Sequence, residues 1–120
     1  MKKNILLGLY VLSTLISCAS DYYPGSIFSI DGESGFTVVK VVTFEKGGVF
    51  YFKVFNEKFS ERPEKVDLKE LTPKMAENGK DFYIMPVPKE LFFQWRPKYL
   101  GREEVSDKEQ ESVRLVKKVF

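Results

Sequence analysis

The chain has 120 residues, with 19 Lys and Arg against 17 Asp and Glu, a formal charge of +2, no histidine and one cysteine. That length suits one small domain, the near-balanced charge lacks the basic field that nucleic-acid binding needs, and without histidine the commonest general base and metal ligand is missing. One thiol cannot form a disulfide within the chain, so stability must come from apolar packing, for which 43% hydrophobic and 15% aromatic residues supply the material.

Lys2 and Lys3 precede an apolar run from Ile5 to Ile16, which ends in Leu15-Ile16-Ser17-Cys18. The run is shorter than the roughly 20 residues a membrane-spanning helix needs. Its length and flanks suit the central region of a secretory signal. The segment resembles a bacterial lipoprotein signal peptide with its lipobox. That resemblance implies cleavage before Cys18, with Leu15 in a peptidase subsite, small Ser17 at the scissile bond, and the Cys18 thiol carrying acyl chains such as palmitate. Residues 1–17 are then a signal peptide, 18–26 a tether and 27–120 one small domain. Both surplus positive charges, Lys2 and Lys3, fall in the leader. The chain beyond Cys18 is neutral overall, so charge gives no argument for nucleic acid or an anionic membrane.

In chain order, Asp21, Pro24 and Gly25 discourage regular structure in the tether. Tyr22-Tyr23 within it is read as a contact with the folded domain, ahead of a residence among lipid headgroups. Asp31-Gly32-Glu33-Ser34-Gly35 is a turn. Phe36 to Phe44 and Val49 to Phe55 are β-branched and aromatic, and Gly47-Gly48 between them predicts an antiparallel hairpin with a two-residue loop. That loop puts Val39, Val41, Phe50, Phe52 and Val54 on one face. Val38, Lys40, Val42, Phe44, Tyr51, Lys53 and Phe55 fall on the other, which is too apolar to be bare and is expected to be covered in part by a strand, a helix or a partner. Val66-Asp67-Leu68 with Leu71 is a short strand or one helical turn. Glu77 to Asp81 is a turn leading into a strand at Phe82 to Met85, with Pro86 and Pro88 ending it or marking a sheet edge. Lys89 to Trp95 forms a brief helix stopped by Pro97. Ser106-Asp107-Lys108-Glu109 has capping-box spacing, and Val113, Val116 and Phe120 continue a helix over about 107–119.

The ordered string Phe36 to Val41, Tyr51 to Phe59, Arg62-Pro63, Val66-Asp67 and Met85-Pro86-Val87-Pro88 through Phe93 to Trp95 resembles a family of small bacterial proteins of unknown function. The resemblance implies no activity and no catalytic residues. It does imply that Arg62-Pro63 and Trp95-Arg96-Pro97 belong to one module.

The fold expected is α+β and β-rich: a small antiparallel sheet or an SH3-like barrel with a C-terminal helix, after a cleaved signal peptide. Most acids alternate with Lys or Arg, as solvated surfaces do, so no catalytic residue, metal or cofactor is expected. The function expected is that of a non-catalytic envelope lipoprotein, attached to the membrane by lipid on Cys18 and presenting a surface to an envelope protein or to peptidoglycan. In a Gram-negative host it would sit in the outer membrane facing the periplasm, since Ala19 follows the modified cysteine. The candidate surfaces are Trp95 with Arg96, and the face bearing Lys40, Lys53, Tyr51 and Phe55. For both, packing within the domain is the stronger reading. The alternative function is a carboxylate-dependent cell-wall hydrolase using Asp31 and Glu33.

Overall fold

The computed structural model describes residues 22–119. The expected signal peptide, Cys18 and the start of the expected tether lie outside the described residues, as does Phe120. Five strands and two helices follow one another: β1 (Ser26–Gly32), β2 (Gly35–Glu45), β3 (Val49–Phe59), β4 (Ile84–Pro88), α1 (Lys89–Gln94), β5 (Lys98–Arg102) and α2 (Asp107–Val119), with a 3-10 turn at Leu68–Glu70. All strand pairs are antiparallel, in the order β4-β3-β2-β1-β5. The two edge strands do not pair with each other, so the sheet is open and the barrel alternative is not realised. This is the expected α+β, β-rich class.

The β2–β3 hairpin reaches the expected sidedness by another route. Its loop has three residues, Lys46-Gly47-Gly48, because Glu45 pairs with Val49. Gly48 takes φ +84° and donates its N–H to the Glu45 carbonyl at 2.8 Å, the positive-φ position such a loop requires. That loop alone would separate the two lysines. Val42 is an extra residue in β2, a bulge that shifts the register by one and sets Lys40 opposite Lys53. Val39, Val41, Phe50 and Phe52 therefore share one core, as expected. Phe44, beyond the bulge, is the exception: it lies over Phe50 on that same face, with ring centroids 4.5 Å apart.

The core of this first face combines Phe28, Ile30, Val39, Val41, Phe50, Phe52 and Val87 with Phe92 of α1. Phe92 is fully buried, with Phe52 at 4.8 Å and Phe50 at 4.9 Å. Burying one such side chain contributes about 2–3 kcal/mol. Tyr22 stacks on Phe28 at 5.3 Å, so the contact expected of the tyrosine pair is made by Tyr22, while Tyr23 is exposed. The tether is also shorter than expected. Gly25 donates to the Val41 carbonyl and accepts from the Glu103 N–H, and Ser26 is buried at the start of β1.

The second face is covered twice. Near β4, Val113 of α2 packs on Val42, Tyr51 and Ile84. Nearer β1, Val66, Leu68 and Leu71 from the β3–β4 connection pack on Ile27, Val38 and Phe55. The capping box at Ser106 and Glu109 forms in both directions, at 3.1 and 2.8 Å, and Glu109, Ser112 and Val113 make the buried stripe of α2. Val119 at its end is exposed. The strand expected at Phe82 to Met85 begins later, at Ile84, and includes both prolines. As β4 is an edge strand, the period of two turns both missing N–H positions away from β3.

Candidate binding groove

Helix α1 has six residues and spans about 9 Å, whereas β2 and β3 have eleven each and run about 36 Å. One short helix cannot roof such strands, and the part of the first face nearest the β1–β2 turn stays open. There a groove of about 500 Å³ is floored by Ile30, Val39, Val54 and Met85, contributed by four adjacent strands. Trp95, the residue after α1, forms one wall and packs against the first-face core. Thr37, Lys58, Asp31 and Glu33 line its rim.

The wall is held in place through Asp31. Its N–H donates to the Trp95 carbonyl at 2.9 Å. Its carboxylate accepts from Arg96 Nε at 2.7 Å and Nη2 at 3.0 Å, and from Arg62 Nη2 at 3.0 Å. Arg62 also donates to the Ser29 carbonyl and hydroxyl and lies over the Phe36 ring at 4.7 Å. Arg96 carries φ +51°, the one positive value outside glycine among the described residues, and that turn points its guanidinium back at Asp31. Hydrogen bonds from Arg96, then the charges of Arg96 and Arg62, hold the Asp31 carboxyl below its ordinary range against the opposing effect of burial. Asp31 thus joins the connection covering the second face to the end of α1 on the first. Arg62-Pro63 and Trp95-Arg96-Pro97 do meet, with Asp31 between them.

The other candidate surface is internal. Lys40, Lys53, Tyr51 and Phe55 are all buried beneath the elements that cover the second face, and are not displayed for a partner. Lys40 Nζ donates to Glu109 Oε1 at 2.9 Å, Glu103 Oε1 at 2.7 Å and the Glu104 carbonyl at 2.9 Å. Lys53 Nζ donates to Glu109 Oε2 at 2.7 Å and sits 4.3 Å from the Phe82 ring centroid. Burial alone would raise the Glu109 carboxyl, but hydrogen bonds from Lys53, the Ser106 N–H and Lys40 outweigh it and the net shift is downward. Two buried ammonium groups are therefore matched by one buried and one half-exposed carboxylate.

Of the sequence candidates, the structure leaves Trp95 in the groove wall, with Arg96 beside it bonded to Asp31, and moves the other four into the core. The sequence reading missed Asp31 as the clamp, because a turn explained it, and Glu109 as a counter-ion, because the capping box did. Among the described residues no three metal-ligating side chains converge, and no helix is long and apolar enough to cross a membrane. No family model, curated protein or solved structure matches the chain.

Proposed function

We propose that this protein is a lipid-anchored envelope protein, attached through Cys18, whose domain binds a protein partner in the groove beside Trp95 without catalysing a reaction. The observation that carries the binding role is the groove itself: an apolar floor from four strands and an indole wall fixed by a three-residue ion cluster. An apolar floor with a rim of mixed charge fits an apolar side chain of a partner polypeptide. Anchoring is supported by the order of residues up to Cys18, since two or more acyl chains give stable attachment where one does not. In a host with two membranes, Ala19 favours the outer one, with the domain in the periplasm. Asp31 does not suit the acid role that a hydrolytic reading would give one of its two carboxyl groups. A general acid needs a raised carboxyl pKa, and Asp31 is held low by two guanidinium groups.

The test uses the natural chain expressed in a bacterial host. Palmitate labelling lost in Cys18→Ser checks the anchor. A photo-crosslinker placed at Lys58, on the groove rim, should capture one envelope protein, whereas the same group at Lys69, on the opposite side of the sheet, should not. Met85→Glu should abolish that capture. Trp95 is the only tryptophan, so its emission reports groove occupancy directly. Equal capture from Lys58 and Lys69, or capture indifferent to Met85→Glu, would remove the groove from the account. Cross-linking to wall sugars alone would replace the protein partner with peptidoglycan.

A further inference from the structure

The end of the first face opposite the groove is also unusual. Tyr23, Phe44 and Phe93 are 56%, 42% and 47% exposed. With Tyr22, Phe50 and Lys89 they surround an apolar depression of about 220 Å³. Phe44 is there because the Val42 bulge turns it onto this face, past the end of α1. Exposed Lys46 lies at the tip of the same hairpin. Apolar rings with flanking lysines are the chemistry of a bilayer interface, where rings settle at headgroup depth and lysines extend to the phosphates.

Position supplies the second observation. The described chain enters the fold at Tyr22, inside this patch. Only Ala19, Ser20 and Asp21 separate Tyr22 from Cys18, so the tether can span at most about 14 Å. A domain held that closely presents to the membrane whichever face surrounds its entry point. We propose that the Tyr23–Phe44–Phe93 patch docks onto the lipid headgroup layer and stands the domain upright on the membrane. The groove then faces outward. From Phe44 in the patch to Thr37 at the groove rim is seven residues along β2, about 23 Å. This rests on the anchoring reading above. Its attraction is apolar insertion more than charge, because exposed Glu90 on α1 offsets a lysine nearby.

If Cys18 is acylated, an added cysteine is the sole free thiol. Lys46→Cys and Lys58→Cys would each carry an environment-sensitive fluorophore on full-length processed protein. The protein would be reconstituted in phosphatidylethanolamine–phosphatidylglycerol vesicles containing a headgroup nitroxide lipid. Quenching should be several-fold stronger at position 46 than at 58, and should fall to the level of 58 when Tyr23, Phe44 and Phe93 are changed together to Ser. Equal quenching at the two positions in acylated protein overturns the docking and leaves the anchor intact. If mass spectrometry finds Cys18 unmodified, the fluorophore goes on with Cys18→Ser in place and vesicles are added from outside. Stronger quenching at 46 then keeps the patch and removes the anchor, and none removes both.

Discussion

The two faces of the sheet are closed by opposite means. The second face carries two lysines and receives a thirteen-residue helix whose Glu109 bonds both of them. The first carries aromatic rings and receives a six-residue helix that contributes Phe92 and no charged contact to its core. Charged hydrogen bonds are directional and admit one seating of α2. Ring packing is less demanding, so α1 seals only as much sheet as its rings reach. The difference leaves both lysines of the second face buried under α2, and the first face with a groove at one end and a ring-lined depression at the other.

Breaking the ionic closure should have the largest effect. Glu109→Ala leaves buried Lys53 without its carboxylate and Lys40 with the carboxylate of Glu103 alone, which costs about 3–5 kcal/mol, and removes the return arm of the capping box to the Ser106 N–H. Urea unfolding followed by circular dichroism would measure the loss. Replacing Lys40, Lys53 and Glu109 together with Met, Met and Leu should recover most of it. A triple variant as unstable as the single one would mean the network does more than balance its own charges. Phe92→Ala is the matching break on the first face and should cost about 3–5 kcal/mol. Here Trp95 emission should shift as well, since its indole packs on that core, and an unchanged emission maximum would contradict that packing.

Arg62→Ala tests the one device that ties both sides together. It removes charged hydrogen bonds to Asp31 and Ser29 from a mostly buried guanidinium, at about 2 kcal/mol. Groove binding should weaken along with stability, which a change confined to the second face would not do. The smallest effect is the acid response. The folded Glu109 carboxyl titrates below its unfolded value of 4.5, so its stabilisation is complete above that pH and is lost as pH falls through the depressed folded value. Asp31 has the same sign from a starting value of 3.8. Thermal melts between pH 6 and pH 3 should show Tm falling below about pH 4.5 in the natural protein, and Glu109→Gln should flatten that fall.

The hairpin was legible because alternation of β-branched and aromatic residues sets the two faces directly. Its loop was not, since the bulged Val42 is one more valine in a run of them and two glycines invite the shorter turn. α2 announced itself through its capping box. β5 (Lys98–Arg102) has no strand signature of its own and exists because β1 offers it an edge. The apolar side chains around Lys40 and Lys53 implied a cover for that face, but the sequence could not say that Glu109 supplied the charge. The groove was illegible for a different reason: it records the mismatch between a two-turn helix and an eleven-residue strand, which no residue encodes alone.

The double duty of Glu109 bears on how such a protein can drift. Gln there preserves the cap and leaves two cations facing an amide, while Asp keeps the charge and withdraws it by one methylene. Losing either lysine alone leaves the other still bonded to Glu109, together with the Ser106 N–H. Loss of the acid at 109 is therefore expected only in lineages that have also exchanged Lys53, whose ion pair is with Glu109, whereas Lys40, bonded to Glu103 as well, is freer to vary.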